Sequence, residues 1–436
     1  MLTWGGGHGS TRLRSRVWRL GRSASRLVAV ALVGFGLATQ AAAQADSTEF
    51  KLSADVRVRS EMDARTSGAA SDHATLLRSR LAVTARRGSL SALVQISDSR
   101  AFGEETNTLA DATADRMDVP QAYLAWTPRD ELRFVIGRQE LAFADQRLVG
   151  SVQWTNVNRS FDGARLTLLH ADWVIDGFAA VLDERAALMA TGLDPRINGD
   201  SSGDRSLFGL WAANASVDLF ALADRNATNG ATRTDIDRVT LGARGREQLG
   251  PVAVEATAAA QFGHQTQGVA SRQDIGAYMV TAAGTYGFRG PLGGRLGLQV
   301  DYLSGDDTPL DGTFRGFNTL YATNHKFYGF MDMFLNMRAH VADLGLVDGV
   351  VRGVIRPAGW TVKADLHRFW LARASPVGER GLGYELDLTA SGTLDHGLGV
   401  QAGYSLFVAS SAGESAPIGL GDEVLHWAYV QLLARF

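Results

Sequence analysis

From Phe50 onward the chain alternates apolar and polar side chains with a period of two, over segments of about ten residues. Successive strand side chains point to opposite faces, so this period reads as strand. Phe50, Leu52, Ala54, Val56 and Val58 share one face, opposite Lys51, Ser53, Asp55, Arg57 and Arg59. The pattern returns at Val252–Phe262, with Glu255, Thr257 and Gln261 on the polar side, and at Leu296–Tyr302, opposite Arg295, Gln299 and Asp301. It returns again at Trp360–His367, at Tyr384–Ser391 with Glu385 and Asp387 on the polar face, and at Leu398–Leu406. Soluble strands usually run about 5–6 residues, whereas a tilted strand needs about 9–11 to cross a bilayer. After residue 45 no apolar run approaches membrane-helix length. A membrane-spanning reading therefore requires a closed antiparallel β-barrel, the strand structure that leaves no unpaired edge in lipid.

Connections fit that reading. Arg87-Gly88, Pro128-Arg129-Asp130 and Pro357-Ala358-Gly359 read as tight turns, while polar stretches near 101–117, 183–205, 225–235, 263–274 and 304–328 read as long loops. Short turns alternating with long loops is the barrel pattern, and the segments add up to about 18 strands. Ala428, Val430, Leu432, Ala434 and the last residue, Phe436, share a face, and the terminal aromatic is expected to engage the barrel-insertion machinery. Trp126, Trp360 and Trp370 at segment ends are candidates for aromatic girdles.

Residues 1–45 read as a cleaved secretory signal, leaving 46–436 as one barrel domain. Arg12, Arg14, Arg16, Arg19, Arg22 and Arg26 precede an 11-residue apolar run, Leu27–Leu37, followed by small-x-small triplets at Ala41–Ala45. Cleavage removes six arginines and no acid, taking the formal net charge from −3 to −9. Such a balance argues against nucleic-acid binding, which rests on phosphate neutralisation. With no cysteine, disulfides and thiolate metal sites are excluded. The sequence carries no Gly-x-Ser-x-Gly elbow, His-Glu-x-x-His or P-loop, and it calls for no cofactor.

Two stretches resemble the alginate export family of outer-membrane porins. The first spans Arg78–Arg165 and includes Gln121-Ala122-Tyr123-Leu124, Gly137-Arg138-Gln139, Gln146-Arg147-Leu148-Val149-Gly150, Trp154 and Arg159-Ser160-Phe161-Asp162-Gly163. The second spans Asp301–Phe334 and includes Ser304-Gly305-Asp306, Asp311-Gly312-Thr313, the run Phe317–His325 and Tyr328-Gly329-Phe330-Met331-Asp332. The resemblance implies a monomeric barrel of 18 strands in a Gram-negative outer membrane, surrounded by lipid, with a lumen rich in arginine and acid. It implies an anionic saccharide or polyuronate as solute, and it leaves room for periplasmic export partners. Thr319 and Ala322 stand where the family's loop is expected to carry proline.

A polyuronate conduit needs cations spaced along its wall, each weak enough to release, with acids between them. The candidates are Arg57, Arg59, Arg78, Arg80, Arg133, Arg138, Arg147, Arg159 and Arg165, with Asp162, Asp301, Glu385 and Asp387 as acidic counterparts. Neutralising Arg138 and Arg165 together is expected to shift ion preference toward cations. The alternative for each arginine is a charge pair that fills the lumen. Asp306, Asp307 and Asp311 offer oxygen ligands for calcium, against the plainer reading of a solvated acidic loop. His325 with Asp332 reads as loop packing ahead of a metal or acid–base pair. Two other functions stay open at this point: a general or small-solute porin on the same fold, and a soluble secreted β-protein acting on polysaccharide.

Overall fold

The computed structural model describes residues 47–68, 70–102, 117–183, 204–227, 234–267, 272–290, 292–309, 311–415 and 417–436. The expected signal segment lies outside these residues, as do most of the loops expected near 101–117, 183–205 and 225–235. Nineteen strands follow in order: β1 Glu49–Ala64, β2 Asp72–Arg87, β3 Leu90–Phe102, β4 Asp118–Arg129, β5 Leu132–Gln139, β6 Phe161–His170, β7 Trp173–Asp183, β8 Asp204–Ala213, β9 Val217–Ala227 and β10 Thr234–Leu249. Then come β11 Val252–Gln267, β12 Gln273–Phe288, β13 Gly294–Leu303, the two-residue β14 Thr313–Phe314, β15 Leu346–Ile355, β16 Thr361–Leu371, β17 Gly381–Thr393, β18 Gly399–Ala409 and β19 Val424–Arg435. All except β14 pair antiparallel with their chain neighbours, and β1 pairs with β19 from Asp55↔Arg435 to Ala64↔His426. The result is a closed barrel of 18 strands.

Burial is inverted relative to a soluble protein, and this decides which face of each strand meets lipid. Val56 is 37% exposed while Arg57 beside it is 3% exposed. Leu296, Leu298 and Val300 are likewise exposed, and Asp301 is buried. Apolar side chains cover the outside, and polar ones fill the interior, as a bilayer solvent demands. A soluble secreted β-protein would place these sets the other way round, so that reading is withdrawn. Trp126 and Trp360 face outward near the tight turns, and Trp370 lies on the outward face near the opposite rim.

The tight turns, including 88–89, 130–131 and 171–172, all lie at one rim. The long connections lie at the other, and two of them, 140–160 and 304–345, turn back into the lumen. The first was not anticipated as a loop. Inside the barrel these loops meet: Tyr321 N–H donates to Leu148 O (2.8 Å), Gly150 N–H to Tyr321 O (2.9 Å) and Thr323 N–H to Gln146 O (3.0 Å). Apolar loop side chains, among them Phe143, Leu148, Tyr328 and Phe334, pack against inward Phe178, Trp211, Phe369 and Phe407. Each large side chain so buried contributes on the order of 2 kcal/mol. The hydrophobic core thus sits between loops and wall, within an otherwise polar interior. Gly329 takes a φ of +82°, and a Cβ there would strike the Glu385 carboxylate, so only glycine allows this close approach.

Candidate functional site

The interior charge is arranged by side. On β1 and β2, Arg57, Arg59, Arg78 and Arg80 come together on the inward face and grip the loop 140–160. Arg57 donates to the carbonyls of Gln153 (3.0 Å), Trp154 (3.0 Å) and Thr155 (2.8 Å), Arg59 to Trp154 O (2.7 Å), and Arg78 to Gln153 O (3.1 Å) and Thr155 O (3.2 Å). Arg80 bonds Asp55 Oδ2 (2.8 Å) and Gln153 Oε1 (2.8 Å). These guanidiniums give most of their donors to the loop and to neighbouring acids, while the Nε–H groups of Arg57 and Arg78 are buried without a hydrogen-bond partner among the described residues.

Across the lumen, β13 to β17 present acids. Arg147 bridges Asp145 (3.0 Å) and the fully buried Asp301 (2.5 Å), and stacks over Phe327 at 4.0 Å. Burial works against the Arg147 charge, but Asp301 and Asp145 outweigh it and its pKa is raised. Glu385 accepts from Met331 N–H (2.8 Å), and Asp387 from Phe330 N–H (3.2 Å) and Ser405 Oγ (2.5 Å). Asp332 bonds His325 Nδ1 (2.6 Å), and His325 stacks between Trp154 (4.5 Å) and Phe330 (5.0 Å), which fits the loop-packing reading. Arg159 donates to the carbonyls of Gly150, Tyr321 and Ala322, tying both loops. Arg165 makes a two-point contact with Asp176 (2.7 and 2.9 Å). Arg133 is exposed near the turn at 130–131.

Two assignments need correction. Arg138 and Asp162 are register partners on the same face as Leu124, Ile136 and Val181, all exposed, and opposite buried Val135. They therefore lie on the outer wall, where Arg138 pairs with Asp118 (3.8 Å) and Asp162 (3.5 Å). The second concerns the calcium candidates. Arg315 Nη2 sits 2.8 Å from Asp311, its Nη1 lies 3.9 Å from Asp306, and Asp307 faces Arg373 at 4.0 Å, so the loop already supplies its own cations. Hydrogen bonds from Arg315 and the Thr313 N–H hold the Asp311 carboxyl down at about 2. Among the described residues no group of three potential ligands gathers.

The groups that line open space are largely ones the sequence reading missed. At the turn-side end, a cavity of about 660 Å³ is lined by Arg147, Arg244, Arg246, Lys326, Arg352 and Lys363. Asp145, Glu247 and Glu255 line it too, Glu255 holding Arg244 (2.6 Å) and Asp145 holding Arg147 (3.0 Å), and the other carboxylate partners lie behind the bases. Asp218 (3% exposed) holds Arg244 (3.1 Å) and Arg246 (2.7 Å), and Asp365 (3% exposed) holds Arg352 (2.9 Å) and Lys363 (2.6 Å). The buried acids fix the bases in place, and the bases face the cavity. Lys326 donates to Asp145 O (3.0 Å), and burial holds its ammonium below the ordinary value, Asp145 opposing. The Arg244-Gly245-Arg246 alternation on β10 was a signal in the sequence, as was Lys363 on a polar face. Lys326 sits in a loop and gave none. A second cavity of about 350 Å³ lies among the loops, lined by Trp154, Arg159, Asn318, His325, Asp332 and Asn336. The segment Asn324–Phe327 borders both, giving Lys326 and Phe327 to one and Asn324 and His325 to the other.

A family model described as alginate export matches residues 47–418. Among solved structures, OpdO of Pseudomonas aeruginosa aligns with a TM-score of 0.58 at 12% identity, covering 89% of this chain and 97% of its own. A BenF-like porin from Pseudomonas fluorescens Pf-5 aligns at 0.56 and 12%, covering 89% and 98%. OccK2 (OpdF) of Pseudomonas aeruginosa, solved in complex with glucuronate, aligns at 0.55 and 15%, covering 89% and 98%. Comparison with curated protein sequences returns no match.

Proposed function

The chain belongs to the alginate export family and is a porin-like channel of a Gram-negative outer membrane, and from that premise we propose that its solute is an anionic saccharide of the uronate class. The observation that carries this reading is the turn-side cavity. Six basic side chains face it against three acidic ones, Asp145, Glu247 and Glu255, while Asp218, Asp301 and Asp365 stand buried behind them. A uronate carboxylate there meets an excess of guanidinium and ammonium groups, and the acids among and behind them keep each contact weak enough to release. The path then passes Lys326 and the loop-side cavity, where Arg159 and the amides of Asn318 and Asn336 suit a carboxylate and hydroxyls. The glucuronate held by OccK2 supports a carboxylated sugar as the unit recognised.

The barrel works as a monomer, its signal segment is removed on secretion, and Phe436, 80% exposed at the turn-side rim, engages the insertion machinery. Short turns face the periplasm in such barrels, so the basic cavity is the side on which periplasmic export partners would deliver polymer. A small-anion porin is the second reading, favoured by the segment Asn324–Phe327 lying between the two cavities. Reversal potential in a planar bilayer under a salt gradient tests the basic cavity. Wild-type channels should prefer anions, and Arg244→Gln/Arg352→Gln should move the potential toward cation preference. An unchanged potential removes this cavity from the conducting path.

A further inference from the structure

Lipid-facing cations on a barrel wall are costly unless an anion meets them, the penalty falling toward the interface. At the loop-side rim, among the described residues, four arginines occupy outward strand positions, and they are treated differently: Arg100 has Asp98 at 2.8 Å. Arg138 has Asp118 and Asp162, and Arg225 has Asp237 at 2.8 Å. Arg368 has no carboxylate partner among the described residues. It is the register partner of exposed Tyr384, stands over the rings of Tyr384 (4.0 Å) and Trp370 (5.0 Å), and donates to Ser410 Oγ (2.9 Å).

Two more arginines gather beside it. Arg380, next to Gly381 against which Arg368 lies, is exposed and, among the described residues, donates to the carbonyls of Leu371 (3.0 Å) and Ala372 (2.8 Å). Arg373 reaches Gly305 O (3.4 Å) and the exposed Asp307 at 4.0 Å. Tyr302 lies on the same row of the wall as Trp370, both being register partners of Val347. Glu379 and Glu414 are also at this edge: Glu379 accepts from Ser411 Oγ (2.8 Å), and the Glu414 N–H donates to Ser410 O (2.9 Å). Aromatic rings at the interface, beside two guanidiniums with no carboxylate among the described residues and a third held only at 4.0 Å from the exposed Asp307, match a phosphorylated headgroup anchored by acyl chains.

We propose that Arg368, Arg380 and Arg373, framed by Trp370, Tyr384 and Tyr302, form a binding site for the headgroup phosphates of outer-leaflet lipopolysaccharide. The planar guanidinium matches phosphate geometry in two-point fashion, and the aromatic belt sets the depth at which the headgroup lies. Each arginine near a charged lipid surface is worth about fivefold in affinity.

The test uses the full chain refolded in detergent and fluorescent lipid A, followed by anisotropy. Heat-modifiable migration confirms that each variant is folded. Arg368→Gln/Arg380→Gln should weaken binding roughly 30-fold, and the exposed Arg380→Gln alone about fivefold. Arg138→Gln/Asp162→Asn, altered at the neutralised cluster on the same wall, should bind as wild type. Dephosphorylated lipid A should bind the wild type as weakly as the double variant does, and millimolar inorganic phosphate should leave lipid A in place. Equal binding of wild type and the folded arginine variants, or indifference to the headgroup phosphates, overturns the site. Displacement by inorganic phosphate would replace the lipid with a free anion.

Discussion

Arg147→Met is the change expected to disturb the lumen most. The side chain joins the inward loop 140–160 to β13 through Asp301, which is 0% exposed, and it also covers Phe327. Removing one member of a buried ion pair typically costs about 3–5 kcal/mol, because the other is left charged and unpaired. The lost cation–π contact adds about 0.5–2 kcal/mol. Because Arg147 sits on a loop, the cost should fall on loop docking more than on the barrel itself. A shift of about 3.5–7 kcal/mol raises the undocked population by roughly two and a half to five powers of ten. Single-channel recording should therefore show a larger, noisier conductance in the variant. The second substitution separates this account from general damage. In Arg147→Met/Asp301→Leu nothing charged is stranded on β13, so most of the wild-type conductance should return. If the single variant conducts like wild type, or the double variant is the noisier of the two, the ion pair does not hold the loop.

The β1–β2 arginines should act on the same loop from the other side: Arg57→Gln/Arg78→Gln removes donors to the carbonyls of Gln153, Trp154 and Thr155, and conductance steps should grow without loss of heat-modifiable migration. Arg138→Gln, on the outer wall, should leave reversal potential unchanged. Acid should steady the loop through Glu140, whose carboxyl burial holds above its ordinary value of 4.5, against hydrogen bonds from Gln153 and Asn158. A group raised on docking favours the docked loop most below its ordinary value, and that contribution fades as pH rises through the raised one. Current noise should thus increase with pH across that window, and Glu140→Gln should flatten the trend.

The barrel was legible because its solvent is lipid on one face and polar lumen on the other, so the side-chain period survives along whole strands. Phe50–Arg59 and Tyr384–Ser391 could be assigned to faces from the sequence, and Arg57, Glu385 and Asp387 do point inward. Arg138 was misplaced although its parity with Phe134 and Ile136 was readable, because its place in the Gly137-Arg138-Gln139 stretch was followed instead of the alternation. Pairing with Asp118 and Asp162 is what lets that charge sit on the outer wall. The loop 140–160 was missed for a different reason. Its apolar residues Leu141, Phe143, Leu148 and Val149 serve the core inside the barrel, so it lacks the polar composition of an outside loop. The basic cavity joins residues from β10, β15, β16 and a loop between β14 and β15, a convergence that closure of the barrel creates and local spacing does not announce.

The most direct test of the central claim is block of single-channel current by oligomannuronate added on the turn side, compared with a neutral oligosaccharide of the same length. A uronate conduit with a basic turn-side cavity predicts concentration-dependent block by the uronate alone, weakened when Arg244 and Lys326 are neutralised. Equal block by both sugars, or none by either from a folded and conducting barrel, would contradict it.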